Sequence, residues 1–173
     1  MGLLLPISAM TIIVAVSNYA VQFPINDWLT WGALTYPVTF LVTDLTNRRF
    51  GAAATRRVVY VGFAFAVILS IWVATPRIAM ASGSAFLIAQ LSDVFIFDRL
   101  SNRPWWQAPL GSSAIASTID TSLFFSLAFA GTGAPWLTLA IGDLAAKFLM
   151  AACLLIPFRV LLSRVRPVAI SPD

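Results

Sequence analysis

Several residue types on which soluble enzymes rely are scarce or missing in this chain. It has no histidine and no glutamate, a single cysteine, Cys153, and a single lysine, Lys147. Without histidine or glutamate the chain cannot build the usual zinc-protease or Ser-His hydrolase site. One cysteine cannot form an intrachain disulfide, and we expect it to pack between helices. There is also no Gly-x-x-x-x-Gly-Lys-Ser/Thr loop, so the chain is not itself an ATPase of that type.

Charge of any kind is scarce as well. Charged residues make up 10% of the 173 residues and hydrophobic residues 60%, and the mean hydropathy is +0.88. An ordinary soluble domain carries roughly 25% charged and 45–50% apolar residues. A soluble chain this apolar could not cover its core with polar surface, whereas a lipid environment removes that need. The composition predicts an all-α polytopic membrane protein that forms a single domain over residues 1–173.

The hydrophobic segments predict six transmembrane helices. A span needs about 20 mostly apolar residues, because about 30 Å of hydrocarbon is crossed at about 1.5 Å per residue. Turns are expected at 22–27, 75–77 and 131–135, and arginine-bearing loops at 46–54 and 98–106. The predicted spans are 3–21, 29–45, 57–74, 78–97, 109–130 and 136–162.

The arginines sort onto one side of this six-span arrangement. Arg77 alone falls on the opposite side. Because positive residues concentrate in cytoplasmic loops, both termini are expected in the cytoplasm, in the inner (plasma) membrane of the cell. The nine arginines on the first side are Arg48, Arg49, Arg56, Arg57, Arg99, Arg103, Arg159, Arg164 and Arg166.

Four aspartates and the one lysine fall inside predicted spans, where such residues face the bundle interior and are functional by default. Asp143 and Lys147 are spaced i, i+4, so they share a helix face and can pair. The pair either neutralises itself to permit insertion or forms part of a functional site. Asp44 and Asp93 lie nearer the arginine loops, where Arg48, Arg49 or Arg99 are candidate partners. Asp120 lies near the middle of its span.

Uncharged polar residues follow the same helix faces. Gln90 and Asp93 are spaced i, i+3, and Asn18 and Gln22 are spaced i, i+4. The second pair is either a helix-end turn network or part of a site. Ser113, Ser117 and Asp120 form one stripe, for which hydrogen bonding between helices is the simpler explanation.

Short segments in order along nearly the whole chain resemble the queuosine precursor transporter family, also called the vitamin-uptake transporter family. The resemblance implies import of 7-deazaguanine precursors of queuosine, namely 7-cyano- and 7-aminomethyl-7-deazaguanine. It also implies a six-helix fold related to the substrate-binding components of energy-coupling-factor transporters. The matching segments are Asn18–Pro24, Gly32–Pro37, Thr43–Arg48, Ala81–Phe86, Ala89–Asp98, Trp105–Trp106, Ile119–Phe125, Gly142–Lys147 and Pro157–Arg159.

Two other functions stay open beside the precursor importer. The chain could be the substrate-binding subunit of an ATP-driven vitamin importer, in which case it would need a coupling ATPase. Such subunits often carry Ala-x-x-x-Ala on the first helix, whereas this chain has Thr11 and Ala15 at that spacing, which favours a solitary transporter. An intramembrane enzyme or scaffold is the other alternative, although no motif for an enzyme is present.

The polar and aromatic residues suit a planar, guanine-like substrate. Aromatic rings could stack on the base, carboxylates could accept its paired N–H donors, and amides could bind its remaining polar atoms. No catalytic residue, cofactor or metal site is expected. The predicted substrate-binding residues are Asn18, Gln22, Trp31, Tyr36, Phe86, Gln90, Asp93, Asp120, Asp143 and Lys147.

The predicted partners follow from the same properties. They are a small purine-like molecule and membrane lipid, with a homodimer possible through stripes of small residues. Nucleic acid is not expected, because the short arginine clusters of a hydrophobic chain indicate cytoplasmic loops instead.

Overall fold

The computed structural model describes residues 2–20, 23–73, 75–133 and 136–163, and these are almost entirely helical. The all-α prediction is therefore confirmed for the described residues, apart from one very short pair of strands. In chain order the elements are α1 (Leu4–Ala20), β1 (Pro24–Asn26), β2 (Leu29–Thr30), α2 (Trp31–Thr35), α3 (Val38–Val73), α4 (Pro76–Leu100), α5 (Gln107–Phe129) and α6 (Trp136–Leu162).

Three helical stretches of the described residues are long and apolar enough to cross a membrane. They are Trp31–Leu69, Pro76–Leu100 and Trp136–Leu162, and α1 is a shorter apolar helix. Helix α5 is a continuous helix of 23 residues, but serine, threonine and Asp120 recur along it and make it less apolar. Helices α1, α4 and α5 begin and end within a few residues of the predicted spans 3–21, 78–97 and 109–130, and α6, Trp136–Leu162, coincides with its prediction. The predicted spans 29–45 and 57–74 are not two separate helices, because α2 and the single long helix α3 cover both of them.

The loop predicted at 46–54 is wrong, because the chain is helical on both sides of Gly51. Gly51 alone leaves the helical conformation, with φ 79° and ψ 169°. A positive φ of this kind costs glycine little and other residues much more, because glycine has no Cβ. A single glycine therefore makes the break in the helix, and the predicted nine-residue loop is absent.

The chain reverses direction at this glycine. The ring of Tyr36, before the break, lies 6.3 Å from the ring of Phe86 on α4. A Cβ placed on Gly62, after the break, would lie 3.6 Å from the same Phe86 ring. A straight helix of 26 residues would separate Tyr36 from Gly62 by about 39 Å. The two parts of α3, residues 38–50 and 52–73, therefore fold back against each other.

A small hairpin replaces the turn predicted at 22–27. Strands β1 and β2 pair antiparallel, and the Asn26 side chain accepts a hydrogen bond of 2.8 Å from the Trp28 amide. The hairpin packs so closely on α6 that a Cβ at Gly142 would collide with the Trp28 carbonyl. Glycine at position 142 therefore permits the close approach of the hairpin to α6.

The arginines gather at one end of the bundle. Arg48 donates to the Ser101 carbonyl at 3.2 Å, and Arg159 lies 4.8 Å from the centre of the Trp105 ring. Arg77 lies at the other end of α4, where its guanidinium donates to the carbonyls of Leu127 and Ala130 at the end of α5. Arg164 and Arg166 lie outside the described residues.

The apolar packing leaves a polar interior. The largest cluster joins α1, both parts of α3 and α4 around Met10, Val59 and Phe86.

Cys153 on α6 is exposed, so the expectation that it packs between helices is wrong.

Candidate functional site

Lys147 on α6 is the centre of a buried ionic group that we call the Lys147 cluster. Its ammonium lies 2.7 Å from Asp120 Oδ2 on α5 and 2.6 Å from Asp143 Oδ2 one turn earlier on α6. The lysine side chain is only 4% exposed. The predicted pairing of Asp143 with Lys147 is confirmed, and Asp120 adds a second carboxylate that the sequence spacing could not assign.

Two hydroxyl groups complete the Lys147 cluster. Thr121 donates to Asp143 Oδ2 at 2.7 Å and accepts a bond of 3.0 Å from the lysine. Tyr36 donates to Asp120 Oδ1 at 3.0 Å, and the lysine nitrogen lies 5.3 Å from the centre of the Tyr36 ring. The cluster thus ties α5, α6 and the segment between α2 and α3 together.

The Lys147 cluster carries an excess of negative charge. Two carboxylates face one ammonium, which leaves one negative charge when all three groups are ionised. A buried charge is stable only when it is paired and hydrogen-bonded. The site therefore favours a ligand that brings N–H donors or a cation, and disfavours an anion.

Aromatic and amide groups line the neighbouring part of the bundle. The Tyr36 ring meets the Phe86 ring edge to face, and Phe86 is almost fully buried. Gln90 on α4 is fully buried, and its Nε2 donates to Thr39 Oγ1 at 2.7 Å. Gln90 Oε1 is buried and has no hydrogen-bond partner among the described residues. A buried amide oxygen without a partner is an acceptor that a ligand can use.

A second polar group lies one or two helical turns from the Lys147 cluster, and we call it the carboxyl pair. It consists of Asp44 on α3 and Asp93 on α4, whose carboxyl groups lie within hydrogen-bonding reach of each other. Thr43 donates to Asp93 Oδ2 at 3.1 Å, and Ser112 on α5 donates to Asp44 Oδ1 at 3.4 Å. Both aspartates are almost fully buried.

Arginine does not neutralise the carboxyl pair, so that expectation is wrong for the described residues. Arg48 bonds a carbonyl, Arg49 lies over the Phe50 ring, and Arg99 lies over the Phe95 ring. The ion pairs among the described residues both belong to Lys147.

A small cavity touches one residue of each polar group. Its volume is about 10 Å³, which is about the room one water needs. Asp44 and Lys147 both line it, together with Ser113 and Ser117 of the predicted α5 stripe. Ser117 Oγ is buried and has no partner among the described residues.

The remaining predicted site residues are placed less centrally. Trp31 begins α2 with half of its surface exposed, and Asn18 is half-buried near the end of α1. Gln22 lies outside the described residues. Their roles in binding stay predictions.

Sequence reasoning missed two residues that hold the site together and gave a third the wrong partner. Thr121 bridges the Lys147 cluster, Thr39 anchors Gln90, and Asp44 faces Asp93 rather than an arginine. The position of Thr121 next to Asp120 was a usable signal. The other two contacts join residues about 50 positions apart, and the sequence has no local signal for them.

Comparison with known families identifies the chain. The model of the family described as "Putative vitamin uptake transporter" matches residues 30–75 and 69–162, which is more than half of the chain. The chain belongs to this family. It is a transporter family rather than an enzyme family, so the predicted absence of enzymatic activity agrees with the membership.

Curated members of the vitamin uptake transporter family extend this match. The chain is 34% identical to the "Probable queuosine precursor transporter" of Haemophilus influenzae, over 84% of this chain and 79% of the relative. It is 32% identical to the queuosine precursor transporter of Escherichia coli K12, with the same coverage of each chain. A relative from Bacillus subtilis is 28% identical over 69% of this chain. No solved structure matches the chain.

Proposed function

We propose that this chain imports 7-deazaguanine precursors of queuosine, 7-cyano-7-deazaguanine and 7-aminomethyl-7-deazaguanine, across the inner membrane. The names of the relatives from Haemophilus influenzae and Escherichia coli support the substrate class. The observation that carries the proposal is the Lys147 cluster, in which the buried Asp120 and the half-buried Asp143 share one buried cation.

The substrate's chemistry matches this charge balance. A guanine-like edge presents two parallel N–H donors, which a carboxylate accepts in bidentate fashion. Asp120 is the better placed carboxylate, because it also contacts Tyr36, whose ring can stack on a planar base. Gln90 Oε1 offers a further acceptor. The excess negative charge suits the added ammonium of the aminomethyl precursor.

The transport cycle requires the helices to separate. The cavity beside Lys147 has a volume of about 10 Å³. Sites for small ligands usually measure roughly 300–1,000 Å³. This cavity is therefore too small for a base, and we infer that a base enters beside Lys147 only after α5 or α6 moves relative to α3.

Six membrane crossings and a cytoplasmic position for both termini form part of the proposal. The reversal at Gly51 divides the stretch Trp31–Leu69 into two antiparallel parts, which supports counting it as two crossings. The collection of Arg48, Arg99 and Arg159 at one end supports a cytoplasmic position for that end. The relation to substrate-binding components of energy-coupling-factor transporters stays a prediction, as does a homodimer.

The test is uptake by the chain alone. Cells that lack endogenous precursor synthesis and import would receive the full chain and a labelled precursor, and queuosine in tRNA would be measured. We expect the wild-type chain to restore labelled queuosine, Asp120→Asn to reduce it strongly, and the exposed control Asp27→Asn to leave it unchanged. No uptake with the wild-type chain would reject the proposal.

A second assay separates a solitary transporter from an ATP-driven subunit. Purified chain in liposomes, without any ATPase, should exchange labelled for unlabelled precursor. If exchange appears only when a coupling membrane subunit and ATPases are added, the chain is instead a substrate-binding subunit.

A further inference from the structure

The two carboxyl groups of the carboxyl pair cannot both be ionised. Asp44 and Asp93 are almost fully buried and lie within hydrogen-bonding reach of each other. Two carboxylates that share a buried site repel, so one of them retains a proton. Neither forms an ion pair with a residue that the structure describes, in contrast to the carboxylates around Lys147.

An oxygen without a partner points to the position of this proton. Thr43 satisfies Asp93 Oδ2, whereas Asp93 Oδ1 is buried and has no hydrogen-bond partner among the described residues. Ser112 approaches Asp44 on its Oδ1. A proton carried by one carboxyl group would donate to the other and satisfy the unpartnered oxygen, which neither side chain can do as an anion.

The charged groups around the pair do not replace that proton. The nearest charged groups on α5 and α6 are Asp120, Asp143 and Lys147, which form ion pairs with one another. On the pair's own helices Arg48 bonds the Ser101 carbonyl, while Asp98 and Arg99 are exposed beyond the end of the buried region.

The cavity gives the carboxyl pair a route to the Lys147 cluster. Asp44 and Lys147 both line it, together with Ser113 and Ser117. The cavity lies between α3, α5 and α6, so any movement of these helices that admits a substrate also changes the surroundings of Asp44. Loading of one site therefore alters the stability of a proton at the other.

We propose that Asp44 and Asp93 form a proton-binding site, and that the release and uptake of this proton drive substrate accumulation. The coupling to transport rests on the proposed function, whereas the bound proton does not. The proton moves between the pair and water as the helices open, and no other bond is made or broken.

The bound proton is tested without substrate. Purified full-length protein in lipid would be examined by infrared spectroscopy for the stretch of a protonated carboxyl group at neutral pH. We expect the band in the wild-type protein and in Asp27→Asn, and its loss in both Asp44→Asn and Asp93→Asn. A wild-type protein without the band, or a band that survives both substitutions, would overturn the proposal.

The coupling is tested in liposomes at zero membrane potential. With one proton per neutral substrate, a gradient of one pH unit supports about tenfold accumulation, because each pH unit corresponds to one factor of ten. We expect Asp44→Asn to lower the accumulation ratio to about one while exchange of labelled for unlabelled precursor continues.

Two outcomes would overturn the coupling. One is undiminished accumulation in Asp44→Asn, and the other is accumulation that follows a sodium gradient instead of the pH gradient. Failure of the wild-type protein to exchange precursor at all is a different result, because it rejects the proposed function and leaves the infrared assignment standing.

Discussion

The Lys147 cluster and the carboxyl pair are two buried acidic groups in one helical bundle, and they balance their charge by different means. At Lys147 two carboxylates receive a fixed ammonium and two hydroxyl groups. At Asp44 and Asp93 two carboxyl groups accept hydrogen bonds from hydroxyl groups, and no cation that the structure describes pairs with them. The first group depends on a side chain that is always present, and the second depends on a proton that can leave.

The difference suits two tasks. A fixed cation holds acceptor oxygens in place at all times, which a site for N–H donors requires. A carboxyl pair changes its charge when the surrounding helices move, which a coupling site requires.

Removal of the fixed cation should have the largest effect. Lys147→Met would leave the buried Asp120 and the half-buried Asp143 without a cation, and removing one partner of a buried ion pair costs about 3–5 kcal/mol. We expect a large drop in the thermal unfolding midpoint of the purified protein and no uptake. Leu149→Met, at an exposed position of the same helix, is the matched control. A Lys147→Met protein as stable as the control would contradict the ionic description of the cluster.

Removal of one carboxylate should affect uptake more than stability. Asp120→Asn leaves Lys147 paired with Asp143, so the charge is balanced and the fold persists. Loss of a charged acceptor costs about 1.5–3 kcal/mol, or roughly 10- to 100-fold in precursor uptake. Asp143→Asn should have a smaller effect, because Asp143 is more exposed and accepts its hydroxyl hydrogen bond from Thr121 rather than from Tyr36. The reverse order, measured by uptake kinetics, would exchange the roles of the two carboxylates.

Removal of one hydroxyl group should have an intermediate effect. Tyr36→Phe keeps the ring but loses the 3.0 Å bond to Asp120. A hydrogen bond of this type contributes about 1 kcal/mol, so the KM for uptake should rise about fivefold. Tyr60→Phe, at an exposed position, should change nothing. An unchanged KM in both variants would show that the Tyr36 hydroxyl group does not position the site.

Replacement within the carboxyl pair should have the smallest effect on stability. Asp44→Asn substitutes an amide that donates a hydrogen bond much as a protonated carboxyl group does. We expect the free energy of unfolding at neutral pH to change by less than about 1 kcal/mol, within the range of a single hydrogen bond. A loss as large as that of Lys147→Met would mean that Asp44 is an ionised partner, and the contrast between the two groups would disappear.

Local spacing predicted one part of the Lys147 cluster and not the rest. The i, i+4 relation placed Asp143 beside Lys147, because both lie on one helix. The bond from Tyr36 to Asp120 joins residues 84 positions apart, and no sequence period reports such a contact. Nearness in sequence favours an arginine as the partner of Asp44, whereas packing directs its side chain inward, toward Asp93 on α4 and Ser112 on α5.

The fold followed hydropathy closely where helices are separated by proline or by polar turns. Prediction failed at Gly51, because arginine and asparagine around it suggested a loop, while the backbone needs only one residue with positive φ to reverse. The hairpin at 24–30 was predicted only as a turn, since its strands are two and three residues long and have no alternation to detect.

The reversal at Gly51 has a consequence for limited proteolysis. Exposed loops are where proteases nick folded chains, and this connection offers no loop to a protease. The two arms around Gly51 should therefore survive limited digestion as one fragment.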